Sequence, residues 1–191
     1  KILRLYHNNV IEVTNMPTSS MDVLKSSIRD IPDFPKPGIL FKDITTLLSR
    51  PDMFKLAIDG ISERFSGKGI QKVVGIESRG FIFGAPIAYR LNAGIVPIRK
   101  KGKLPYKTIS VTYSLEYGTD TLQMHEDAIL PGEKILIVDD LLATGGTVKA
   151  AVELAQKLKA DIVGAAFVIE LAGLKGRQKL TDTEIFSLIT F

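Results

Sequence analysis

A chain of 191 residues with 45% hydrophobic content has the size and apolar fraction of one ordinary domain with one sizeable core. Its 25 Lys+Arg against 21 Asp+Glu leave +4, too little and too interspersed for a protein that coats nucleic acid, but suited to a local anion pocket for a phosphorylated small molecule. With no cysteine there are no disulfides or thiolate metal sites, and no run reaches the ~18 to 20 uncharged apolar residues of a membrane span or the apolar core of a signal peptide, so a cytoplasmic protein without a membrane role is expected.

Residues 1–20 show neither helical nor strand periodicity, end in Met16-Pro17-Thr18-Ser19-Ser20, and read as an N-terminal extension. Met21 reads as a native start, and Val23, Leu24, Ile28 and Ile31 then predict a short amphipathic helix that stops at Pro32. The segment Phe34-Pro35-Lys36-Pro37-Gly38-Ile39-Leu40-Phe41-Lys42-Asp43 carries two prolines and a glycine, which deny helix and sheet interior and predict a stiff, extended binding loop. Pro51 opens a helix in which Phe54, Ile58, Ile61 and Phe65 recur at three- and four-residue spacing, ending around Gly67.

An alternation follows: strand Lys72–Ile76, helix Phe81–Leu91 and strand Ile95–Ile98. The polar stretch from Lys100 to Gly118 is longer than the ~12–15 residues usual for a loop without a function, and predicts a lid. After it come strand Thr121–His125, strand Lys134–Val138, helix Thr147–Leu158, strand Ile162–Ile169, a short helix near Leu174–Leu180, and strand Ile185–Thr190. Apolar β-branched runs separated by helices predict an α/β fold, a parallel twisted sheet flanked by helices.

The most informative segment is Ile135-Leu136-Ile137-Val138-Asp139-Asp140-Leu141-Leu142-Ala143-Thr144-Gly145-Gly146-Thr147. An apolar strand delivers two acids to the carboxyl edge of the sheet, and small residues then let the backbone curl around an anion at the start of a helix. The same acids could cap a helix, and the same glycines could make a plain turn. The adjacency of the acids and the flanking Thr144 and Thr147 favour the anion loop. It is not a Walker loop, because no G-x-x-x-x-G-K-[ST] occurs, and no G-x-G-x-x-G joins a strand to a helix.

This Asp-Asp-Leu-Leu-Ala-Thr-Gly-Gly-Thr run resembles the phosphoribosyl pyrophosphate (PRPP) loop of type I phosphoribosyltransferases. The resemblance implies that Asp139 and Asp140 hold the ribose hydroxyls and that Ala143, Thr144, Gly145, Gly146 and Thr147 hold the 5′-phosphate. It extends from Met21 to the end and points to the adenine-specific branch. The proline-rich segment is similar to an adenine-binding hood, spanning about 21–48 of a single domain 21–191, with Leu40, Phe41 and Lys42 at the base. Lys42 stands where family members often carry Arg. Glu77-Ser78-Arg79 resembles the pyrophosphate loop, Arg99, Lys100 and Lys103 a basic entry to a mobile lid of about 100–118, and Tyr113-Ser114-Leu115-Glu116-Tyr117-Gly118 its catalytic tip.

The implied reaction joins adenine and PRPP to give AMP and pyrophosphate, with Mg²⁺ held mainly by PRPP and water and Glu116 as the acid/base. A homodimer is implied, with Arg79 reaching the neighbour's pyrophosphate site. Each residue also has a plainer reading: the lysines as solvated surface, Phe41 as core, Glu116 as a loop acid, His125 as a surface or packing side chain. The rival functions are transfer to hypoxanthine, guanine, xanthine or orotate, and a regulator that binds PRPP without turnover.

Overall fold

In the computed structural model, which describes residues 18–114 and 118–191, the elements run α1 (Thr18–Ser26), β1 (Arg29–Pro32), β2 (Leu40–Asp43), α2 (Thr45–Leu48), α3 (Pro51–Phe65), β3 (Lys72–Ile76), α4 (Arg79–Leu91) and β4 (Gly94–Lys100), then β5 (Thr108–Ser114), β6 (Thr119–His125), β7 (Lys134–Leu142), α5 (Gly146–Lys157), β8 (Asp161–Glu170) and β9 (Ile185–Thr190). Two single 3₁₀ turns, Ala172–Leu174 and Gly176–Lys179, connect β8 to β9.

Seven strands form one sheet in the order β5-β6-β4-β3-β7-β8-β9, in which β4, β3, β7, β8 and β9 are parallel, β6 pairs antiparallel with β4, and β5 pairs antiparallel with β6 at the edge. Alternate residues of the buried strands serve opposite faces, as the two-residue strand period requires. Leu136 and Val138 of β7, with Ala166 and Val168 of β8, pack into a core shared with Leu24, Ile61, Phe65, Phe83 and Ile87 of α1, α3 and α4. Ile135 and Ile137, with Ala165 and Phe167, pack on the other face against Val148, Ala151, Leu154 and Ala155 of α5. The sheet is therefore the middle layer of three.

Four elements differ from the sequence expectation. The first helix ends at Ser26, and Arg29–Pro32 pairs antiparallel with Leu40–Asp43, so the proline-rich loop is the tip of a two-stranded ribbon. The sheet is mixed rather than wholly parallel. The stretch expected to be a structureless lid contains β5, whose Ile109, Val111 and Tyr113 pack on the α5 face. Finally, β7 continues past Val138 to Leu142, because Asp139, Leu141 and Leu142 stay in register with Phe167, Ile169 and Glu170 of β8. No helix among the described residues is long and apolar enough to cross a membrane.

Candidate active site

The centre of the sheet decides where a site can form. From β3 the chain crosses through α4 to β4 on one side, and from neighbouring β7 it crosses through α5 to β8 on the other. Crossovers of one hand that leave in opposite directions put their helices on opposite faces, which opens a crevice between the carboxyl ends of the two central strands. Glu77-Ser78-Arg79 follows β3, and Asp139 and Asp140 lie near the end of β7, so both motifs meet at that crevice.

Arg79 opens α4, and its Nε lies 2.8 Å from Asp140 Oδ2. Burial raises the Asp140 carboxyl above the ordinary aspartate range, and Arg79 pulls it back. Asp139 is raised well above that range, first by burial and then by the adjacent Asp140, while its Oδ1 accepts the Asp140 N–H at 2.9 Å. The close seat of α4 on β7 depends on Gly80: a Cβ there would stand 2.8 Å from the Val138 carbonyl oxygen and 3.0 Å from Asp139 Oδ1.

Glu77 organises the cationic flank. Its carboxylate accepts from Arg99 Nε at 3.2 Å and from the Lys100 N–H at 2.9 Å, and is bound by Lys103 Nζ. Burial works to raise its pKa, yet these donors outweigh burial and hold it at about 2. Lys100 Nζ lies 3.2 Å from Asp120 Oδ2, and that partner holds the lysine above its ordinary pKa. Arg79, Arg99, Lys100 and Lys103 are thus each paired with a carboxylate of the same chain.

Between acids and cations runs the loop Ala143–Thr147. Gly145 has φ +79° and caps α5, whose first turn leaves N–H groups without intrahelical partners. Thr147 Oγ1 donates to Tyr113 Oη at 3.4 Å, which ties the loop to β5. A cavity of about 750 Å³ is lined by Glu77, Ser78, Arg79, Lys100, Lys103, Asp139, Asp140 and all of Ala143–Thr147, with Tyr113, Asp120 and Leu122 closing one side.

Four candidates lie apart from this cavity, and two lie outside the described residues. Arg99 stands behind Glu77. Leu40, Phe41 and Lys42 lie on the ribbon: the Phe41 ring meets Phe34 edge-on at 5.1 Å, and Lys42 Nζ donates to Asp30 Oδ1 at 2.6 Å and sits 4.0 Å from the Phe191 ring centroid. Arg29 on Asp43 (2.5 Å) ties the two ribbon strands to each other, and Thr46 Oγ1 on the Ser27 carbonyl (2.6 Å) ties α2 to the residues just before β1. Glu116 and Tyr117 lie outside the described residues.

Residues 43–191 match the model of the phosphoribosyl transferase domain family. An adenine phosphoribosyltransferase of Acidobacterium capsulatum is 57% identical over 177 residues, 92% of this chain and 98% of its own length. The chain belongs to the adenine phosphoribosyltransferase family. The crystal structure of the Rhodothermus marinus adenine phosphoribosyltransferase superposes with a TM-score of 0.87 at 50% identity, covering 92% of this chain and all of that one. The Saccharomyces cerevisiae enzyme, complexed with an imino-altritol bisphosphate and adenine, superposes at 0.85 and 41% identity, covering 91% of this chain and all of its own.

Sequence reasoning missed several parts of this phosphoribosyltransferase site. Asp120, beside the segment expected to be a lid, had no role in that reading, and it enters the cavity with Tyr113 of the expected tip because β5 and β6 form a hairpin. The period-two run Ile109, Val111, Tyr113 was the available signal. Gly176 touches the anion loop from the far side of β8, and no local pattern announces it. In the single chain, Arg79 serves its own cavity and its own Asp140.

Proposed function

We propose that the chain is a purine-salvage enzyme that transfers the 5-phosphoribosyl group of PRPP to adenine, giving AMP and pyrophosphate. The observation that carries this reading is one cavity joining a carboxylate pair, an anion loop at a helix N-terminus and three cationic side chains. Each serves a different part of PRPP. Asp139 and Asp140 take the ribose hydroxyls, Ala143–Thr147 the 5′-phosphate, and Ser78, Arg79, Lys100 and Lys103 the pyrophosphate, with Glu77 and Arg99 setting the basic flank. Leu40, Phe41 and Lys42 on the ribbon supply the adenine end.

The bond from the anomeric carbon to pyrophosphate breaks as the bond to the adenine ring nitrogen forms, and positive charge develops on the ribose. Carboxylates under the ring stabilise that charge, and cations facing the leaving group stabilise the opposite charge. Arg79 exchanges Asp140 for pyrophosphate when substrate binds, which frees Asp140 to accept from a ribose hydroxyl. Glu116, carried by the β5–β6 tip, handles the proton of the base.

Among the described residues no group of three or more His, Asp or Glu could cage a metal. Of the cavity carboxylates, Glu77, Asp120 and Asp140 are taken by cations, a donor set that fits a Mg²⁺ arriving on PRPP and keeping phosphate and water ligands. Such an ion supplies charge neutralisation for the departing pyrophosphate.

A homodimer and a cytoplasmic location belong to the same proposal. Ile82 and Tyr89 on α4 and Ile95 on β4 are exposed, apolar side chains that suit contact with a second copy; sedimentation would read the assembly. Turnover is tested by incubating the chain with adenine, PRPP and Mg²⁺ and separating the products. AMP and pyrophosphate in equal amounts are expected, and pyrophosphate without AMP would overturn the assignment to base transfer.

A further inference from the structure

The turn after β8 forms the back wall of the anion loop. Gly176 is buried although its neighbours Lys175 and Arg177 are exposed. A Cβ on Gly176 would fall 2.1 Å from the Ala143 carbonyl oxygen and 2.8 Å from the Gly145 nitrogen, and a Cβ on Gly145 would fall 2.4 Å from the Gly176 carbonyl oxygen. Backbone presses on backbone across this contact, and only glycine at both positions permits it. The position of the turn therefore sets the position of the loop.

What holds the turn is the next residue. Arg177 Nε donates to Glu170 Oε1 at 3.1 Å and Nη2 to Oε2 at 2.5 Å, a two-point contact with the last residue of β8. Nη1 donates to the Ile185 carbonyl at 2.7 Å and Nη2 to Ser187 Oγ at 3.3 Å, both on β9. The planar guanidinium thus spans two strands, and its geometry is one that an ammonium cannot reproduce. Leu180 closes the far end of the turn by packing into the α5-side core.

We propose that Arg177, through its clamp on Glu170, is a positioning residue for the 5′-phosphate of the substrate: it holds Gly176 against Ala143 and Gly145 so that the loop is already shaped before PRPP arrives. This rests on the assignment of Ala143–Thr147 to the 5′-phosphate. A loop held in its bound shape loses less conformational freedom on binding, so the clamp acts on affinity. Arg177 touches no substrate in this arrangement, and the pyrophosphate flank, at the start of α4 and the end of β4, does not depend on it.

The test uses two probes that divide PRPP between them. Calorimetric Kd values for ribose 5-phosphate and for pyrophosphate are measured on the wild type, Arg177→Leu and Glu170→Gln, alongside KM, kcat and Tm. Arg177→Leu should weaken ribose 5-phosphate about tenfold, the order of a charge-assisted contact, and raise KM for PRPP similarly. Pyrophosphate affinity and kcat should stay near wild type. Glu170→Gln, which keeps the shape and removes the charge, should fall between and decides the matter if Arg177→Leu is too unstable to measure. Wild-type ribose 5-phosphate affinity in both variants, or equal loss for both probes, would overturn the proposal. A wild type that binds ribose 5-phosphate but makes no AMP would count against the transferase reading alone.

Discussion

Arg79 Nε and Asp140 Oδ2 stand 2.8 Å apart across the gap between the two central strands, joining the segment proposed for pyrophosphate to the one proposed for the ribose. The cation is the only one on the described residues paired with either acid of the β7 pair.

Removing it should therefore affect both binding and stability. Arg79→Ala should lower kcat/KM for PRPP roughly 10- to 100-fold, the worth of a charged hydrogen bond of about 1.5–3 kcal/mol. It also removes the group that pulls the Asp140 pKa down, so the folded state holds its proton more tightly and stability falls as pH rises above the ordinary aspartate value. The Tm deficit of Arg79→Ala should be larger at pH 8 than at pH 5. Because the arginine side chain is 41% exposed, solvent screening keeps that effect modest. A deficit independent of pH would contradict the pairing.

Glu77 gives the opposite sign. Its pKa falls from 4.5 to about 2 on folding, so its contribution is complete above pH 4.5 and is lost as pH drops towards 2. In Glu77→Gln that part of the acid limb should disappear. Wild type and variant should therefore differ most in Tm near neutral pH and converge near pH 2. Parallel Tm curves from pH 7 to 2 would show that Glu77 is not the clamp of the basic flank.

Gly80 tests how closely α4 must seat on β7. A methyl group 2.8 Å from the Val138 carbonyl oxygen forces the helix outward, and Gly80→Ala should cost about 1–3 kcal/mol by overpacking. Because the displaced helix carries Arg79, kcat/KM for PRPP should fall as well. A variant with unchanged denaturation midpoint would mean that the helix yields freely.

How much of this was legible in the sequence depended on whether the cause was local. The apolar run Ile135–Val138 followed by two acids and a small-residue loop announced the strand, the crevice and the anion loop at once, because each follows from neighbouring residues. The strand's continuation to Leu142 was not legible, since charged Asp139 and Asp140 read as its end and only pairing with β8 extends it. Polar composition hid β5, although Ile109, Val111 and Tyr113 alternate as a half-buried strand does. The ribbon of β1 and β2 was read as a helix and a loop because each strand has only four residues. Gly176 was invisible for a different reason: its role is a contact with Gly145, some thirty residues earlier in the chain.

Glu116, at the tip between β5 and β6, is assigned the proton of the purine ring. Glu116→Leu should lower kcat by roughly 10²–10⁴, the usual worth of a positioned acid/base. PRPP affinity should change little, since the groups assigned to that substrate lie elsewhere, at the ends of β3, β4 and β7 and the starts of α4 and α5. Near-normal kcat would remove Glu116 from the chemistry.

The central claim is that adenine is the acceptor, and the most direct measurement compares kcat/KM for adenine, hypoxanthine, guanine and orotate at saturating PRPP and Mg²⁺. A site that reads an exocyclic amine leaves unpaired groups when a carbonyl replaces it, a penalty of roughly 1–3 kcal/mol per group. Adenine should therefore lead the other bases by at least about tenfold. Equal or faster turnover of hypoxanthine would contradict the account.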